Sequence, residues 1–115
     1  MLALLLVGCG GTPEVVDADA DAQAVYERAG KSMRSGNYPR AIELLEGLTG
    51  RFPFSDYTKQ AQLDLVFLYY KNNEPESALD AADQFMRENP AHPRVDYALY
   101  IKGLVHFERN RGPLE

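Results

Sequence analysis

Shifting the chain by 37 residues lays it over itself. Ala41 meets Ala78, Ile42 meets Leu79, Leu45 meets Ala82, Leu48 meets Phe85 and Pro53 meets Pro90. Ala29 meets Val66 and then Gly103, while Tyr26 meets Leu63 and then Tyr100. No other feature constrains the fold so strongly. A unit of this length cannot bury its own apolar face and has to be covered by its neighbour, so the chain is expected to stack its units in a row.

Each unit reads as two helices. Val25, Ala29 and Met33 keep helical spacing, and Gly36-Asn37 supplies residues that tolerate the left-handed backbone of a helix end. Pro39 falls in the first turn of the next helix, whose apolar face is Ala41, Ile42, Leu44, Leu45 and Leu48, and Pro53 stops it. In the second unit Ser55 is placed to cap a helix over about Tyr57 to Lys71. Asn72-Asn73 turns, Pro75 opens the partner helix and Pro90 closes it. A further first helix follows Pro93, carrying Tyr97, Tyr100, Ile101, Leu104 and Phe107. Small residues at Ala29, Ala41, Ala78 and Gly103 are expected to let helices approach closely, with larger residues such as Leu45, Leu48 and Phe85 between them.

The N-terminal segment has a different character. Leu2 to Val7 is a short apolar run, and Gly8 then sets a small residue before the single cysteine, Cys9. Leu6-Val7-Gly8-Cys9 resembles the lipobox of bacterial lipoproteins. In that arrangement the apolar run brings the thiol to the membrane, and the small residue admits a peptidase. The resemblance implies a mature chain beginning at lipidated Cys9. Two or more acyl chains, at about 0.8 kcal/mol per buried methylene, give stable anchoring. Gly10 in place of Asp implies the outer membrane, on its periplasmic face. A signal peptide opens with positive charge, yet no Lys or Arg precedes Cys9, so the natural start is expected upstream of Met1.

The charge balance points the same way. The net charge is −5, and Glu14, Asp17, Asp19 and Asp21 supply four of those charges in a stretch without Lys or Arg. The remainder is close to neutral and lacks the basic stripe that nucleic-acid binding needs. Residues 1–8 are thus read as a signal remnant and 9–21 as lipidated cysteine and acidic tether. Residues 22–115 form the repeat domain, with units 22–58, 59–95 and a partial 96–115. The tether's later part can double as the start of the first helix.

In stacked helix pairs the first helix of each pair faces the concave groove. The register places Tyr26, Gly30 and Met33 there in the first unit, and Gln60, Leu63, Phe67, Tyr70 and Lys71 in the second. The third contributes Tyr97, Tyr100, Leu104 and Phe107. Rings on a concave wall can hold apolar side chains of an extended peptide, while Tyr hydroxyls and Gln60 supply hydrogen bonds. The competing expectation, strongest for Phe67, Leu104 and Phe107, is burial between helices. Phe52, Phe54 and Tyr57, three aromatics within Arg51–Tyr57, form a candidate lip to the groove or staple the following helix.

Catalysis finds no motif: there is no nucleophile elbow or phosphate loop, and His92 and His106 lack a second ligand at metal-binding spacing. No enzyme activity, cofactor or metal is expected. Asp64 lies among apolar neighbours and is expected to hold a hydrogen bond between helices.

The two-helix unit, clearest in Gly36-Asn37-Tyr38-Pro39-Arg40-Ala41 followed by Pro53, resembles the tetratricopeptide (TPR) pattern, with a period longer than the usual ~34. The expected fold is all-α, a TPR-like α-solenoid of antiparallel helix pairs spanning about two and a half repeats. Further stretches are Arg51-Phe52-Pro53-Phe54, Gln60 to Leu65 and Tyr69-Tyr70-Lys71, and the most specific are Asn89 to Pro93 and Asp96 to Leu104. With the lipobox and tether, they resemble the BamD (ComL or YfiO) lipoproteins of the β-barrel assembly machinery.

That resemblance implies a scaffold that helps to fold and insert outer-membrane proteins. Its N-terminal repeats would receive the aromatic-ended targeting segment of an unfolded barrel. Further repeats, expected beyond Glu115, would contact a BamA-type barrel protein and other lipoproteins of the assembly complex. Another periplasmic TPR lipoprotein, acting as a cell-envelope or division adaptor, would share the tether and repeats. An enzyme with its catalytic part downstream would share them too.

Overall fold

The computed structural model describes residues 18–111. Cys9, the lipobox and most of the acidic segment lie outside them. Five helices follow in order: α1 (Ala18–Arg34), α2 (Tyr38–Arg51), α3 (Asp56–Lys71), α4 (Pro75–Glu88) and α5 (Val95–Arg111). No strand occurs among the described residues. α1 begins at Ala18, so residues 18–21, assigned above to the tether, form its first turn, and Ala22 is already fully buried.

The turns within the two complete pairs are copies of each other. Gly36 has φ 77° and Asn73, 37 positions later, has φ 60°. Asn37 N–H donates to the Ser32 carbonyl at 2.8 Å and Gly36 N–H to Met33 at 3.0 Å. Glu74 N–H donates to Tyr69 at 2.8 Å and Asn73 N–H to Tyr70 at 3.3 Å. Both sets satisfy the last carbonyls of a first helix through a left-handed residue, which glycine adopts without strain and asparagine tolerates. The next helix starts at once. Asn37 Oδ1 accepts from Arg40 N–H ahead of α2, and Pro75 opens α4 where no N–H is needed.

The turns between pairs are tied differently. Ser55 Oγ accepts from Tyr57 N–H at 3.2 Å and caps α3. The buried Thr58 hydroxyl donates to the Phe52 carbonyl. Before α5, the His92 ring packs edge-on against Phe85 at 5.1 Å, and its Nδ1 accepts from Arg94 N–H.

Two cores meet across α3. The first gathers Ala29, Ala41, Ile42, Leu45 and Leu48 with Ala61, Leu65 and Leu68. The second gathers Leu63 and Val66 with Ala78, Ala82, Phe85, Ala98, Ile101 and Val105. Burial of Ala29, Ala41 and Ala78 matches the expected close approach. Gly103 does not: it is exposed, and a Cβ there would meet nothing. α3 is buried on two sides because it packs against the preceding pair, α1 and α2, on one side and against α4 and α5 on the other.

The helix contacts set the curvature. α1 touches α3 and α3 touches α5, whereas α2 and α4 make no contact with each other. The first helices are crowded together and the second helices are splayed. The stack therefore bends towards the first helices, which line its inner side.

Candidate functional site

The inner wall is organised around one carboxylate. Tyr26 of α1 donates its hydroxyl to Asp64 Oδ2 at 2.7 Å, and Gln60, one turn before Asp64 on α3, donates to Oδ1 at 3.0 Å. Tyr57 packs against Tyr26 with ring centroids 5.5 Å apart. From the other side, Tyr97 of α5 lies within the field of Asp64, and the Arg94 guanidinium sits over the Tyr97 ring at 5.1 Å. Burial raises the Asp64 pKa above the usual carboxylate value, against the opposing pull of the Tyr26 and Gln60 hydrogen bonds and of Arg94. Burial raises the Tyr26 hydroxyl too, and the bond to Asp64 reinforces it. Asp64 thus holds α1 to α3, as its apolar neighbours in the sequence implied.

The structure brings Tyr26, Tyr57, Gln60 and Tyr97 of the expected residues into this cluster. Tyr100 stands next along the wall, 61% exposed. The Tyr70 hydroxyl donates to Glu108 of α5, and this bond holds its pKa above the usual tyrosine value. Phe67 is half-buried against both cores.

Two of the expected site residues are corrected. Leu63 is 1% exposed and belongs to the second core, so it offers no side chain to a ligand. Among the described residues, its register partners Tyr26 and Tyr100 sit on helices that pack against two others, whereas α3 packs against four. Phe52 is 9% exposed and packs into the first core beneath Arg51, so of the proposed lip only Phe54 projects, 98% exposed. Tyr57 belongs to the wall and packs on the first core as well.

Among the other groove positions, Met33 and Leu104 pack against the cores, and Phe107 is 60% exposed under Arg111. Sequence reasoning missed Arg94 as a wall residue. Its position directly after Pro93, beside a predicted groove tyrosine, was the available signal. No group of three or more metal-ligating side chains is present among the described residues.

A stack of helix pairs whose first helices form a tyrosine-rich inner wall defines a helical-repeat protein. The sequence profile described as Tetratricopeptide repeat matches residues 12–115. The chain is 42% identical over 112 residues to outer membrane protein assembly factor BamD of Vibrio cholerae serotype O1, covering 96% of this chain and 46% of the relative. It is 42% identical over 116 residues to the protein of the same name from Neisseria meningitidis serogroup B, covering 96% and 43%. Against that of Haemophilus influenzae the identity is 33% over 105 residues, covering 91% and 40%. The chain belongs to the tetratricopeptide-repeat family and, within it, to the BamD family. It spans less than half the length of these curated relatives.

Proposed function

We propose that the chain is the client-receiving part of a scaffold in the β-barrel assembly machinery. It binds unfolded outer-membrane proteins and is not itself a catalyst. The relatives are named outer membrane protein assembly factors, which supports the assembly role. The observation that carries the client-binding part is the inner wall. Tyr100 stands exposed beside the half-buried Tyr26, Tyr57 and Tyr97 and the Gln60 amide, a mixture of rings and polar groups that suits an extended, aromatic-ended segment.

The same reading places the protein on the periplasmic face of the outer membrane, held by lipid on Cys9. No described helix is long and apolar enough to cross a membrane. Its partners in this role are a BamA-type barrel protein and the other lipoproteins of the complex. Nucleic acid is not among them.

The test is binding of a peptide with the sequence of a barrel's aromatic-ended C-terminal strand. Tyr70→Ala with Tyr100→Ala should weaken its affinity about thirtyfold while helicity is unchanged. Unaltered affinity would remove both residues from the site. For the anchor, Cys9→Ser should abolish incorporation of labelled palmitate and release the protein from the membrane fraction.

A further inference from the structure

A cavity lies on the opposite side of the stack from the tyrosine wall. It occupies about 590 Å³ where α2 and α4 fail to meet, with α3 as its floor. The lining follows helical spacing on each element. α2 contributes Glu46 and Gly50, and α4 contributes Asp80, Gln84 and Glu88. Leu65, Ala81 and Phe85 give it an apolar base. A cleft of this size, apolar below and polar at the rim, has the proportions of a binding groove.

Its charge is one-sided. Glu46, Asp80 and Glu88 line it, and no Lys or Arg does. The opposite flank of α4 differs. There Asp83 pairs with Lys102 at 2.5 Å and Glu76 pairs with Arg109, both cations coming from α5. The hydrogen bonds recorded for the cleft carboxylates come from neutral donors: Tyr69 to Glu46, and Gln62 and Gln84 to Glu88. α4 thus meets cations where it packs on its own chain and none where it faces the open cleft. Carboxylates gathered over an apolar base favour a cationic, amphipathic occupant.

We propose that the cleft between α2 and α4 docks a basic, amphipathic segment of a partner protein. Its Lys or Arg side chains meet Glu46, Asp80 and Glu88, and its apolar side chains cover Leu65 and Ala81. The chain is then a two-sided scaffold, with the client on the inner wall and an assembly partner on the outer face.

The test uses the full-length protein and a fluorescent amphipathic Lys/Leu peptide, read by anisotropy. Two variants attack the cleft by different routes. Glu46→Gln, Asp80→Asn and Glu88→Gln together remove its charge while keeping hydrogen-bond acceptors. Gly50→Leu obstructs the mouth at a position where an added Cβ meets nothing, and it raises helix propensity. Each should weaken binding about tenfold or more. Asp19→Asn with Asp21→Asn, outside the cleft, should leave affinity unchanged, and a Glu/Leu peptide should not bind. Retained affinity in either cleft variant would overturn the proposal. So would equal loss in the Asp19/Asp21 variant, or binding of the Glu/Leu peptide. Competition by the aromatic-ended barrel peptide would overturn it as well, since both ligands would then share the inner wall.

Discussion

The two faces of this stack are built from the same repeat and have opposite chemistry. On the inner wall the first helices touch, and their polar groups satisfy one another: Tyr26 and Gln60 both donate to Asp64, and Tyr70 donates to Glu108. On the outer face the second helices stand apart, and Glu46, Asp80 and Glu88 line a cleft without a cation. The difference follows from curvature. Bending crowds one set of helices until side chains pair within the chain, and it opens the other set until they face solvent or a partner. A repeat protein can therefore carry two recognition chemistries without departing from its core pattern.

The largest expected effect comes from the layer that both faces share. Phe85 is fully buried, anchors the second core, carries His92 on its ring and underlies the outer cleft. Phe85→Ala should cost about 3–5 kcal/mol in urea unfolding and weaken ligands of both faces together. Weakening at one face only would mean that the core does not couple them. A smaller and selective effect is expected of Tyr100→Ala. It should lower affinity for the aromatic-ended peptide about tenfold, near 1.4 kcal/mol, and leave the Lys/Leu peptide untouched. Parallel losses for both peptides would break the comparison.

Next in size is Tyr26→Phe, which keeps the ring against Tyr57 and removes the hydroxyl from Asp64. The expected cost is roughly 1 kcal/mol, at the low end for a hydrogen bond to a carboxylate because water reaches the pair. The loss should appear as a lower denaturant midpoint with an unchanged slope. No loss would show that water replaces the hydroxyl freely, and that the wall is less self-satisfied than its geometry implies.

The elements were legible because their ends depend on local chemistry. Gly36 and Asn73 adopt the left-handed turns, Pro75 opens α4 and Ser55 caps α3, each as residue type alone dictates. Asp64 was legible as well, since a carboxylate set among apolar residues needs a donor. The faces of α3 were harder to read. Leu63 shares a register with Tyr26 and Tyr100, but a helix packed against four others buries a wider arc than a helix packed against two. The outer cleft was hidden altogether. Glu46 and Gly50 in one helix, and Asp80, Gln84 and Glu88 in another, each read as an ordinary solvated stripe. That the two stripes border a single cavity depends on the spacing of helices separated by a whole repeat, which no local pattern encodes.

The smallest effect is also the most specific to the inner wall. Burial raises the Asp64 pKa above its ordinary value, so the folded chain holds this proton more tightly than the unfolded chain does. A group of that kind contributes stability that is fully present below the ordinary aspartate pKa and is lost as pH climbs through the raised, folded value. Asp64→Asn keeps a carbonyl oxygen to accept from Tyr26 and removes the titration. The stability of the wild type minus that of Asp64→Asn, from urea unfolding at stepped pH, should therefore fall across that acidic window and level off above it. A difference that rises with pH would mean that the Tyr26 and Gln60 hydrogen bonds and the field of Arg94 outweigh desolvation. Asp64 would then act as a stabilised anion rather than a buried one, and the inner wall would resemble the outer cleft in presenting negative charge to its ligand.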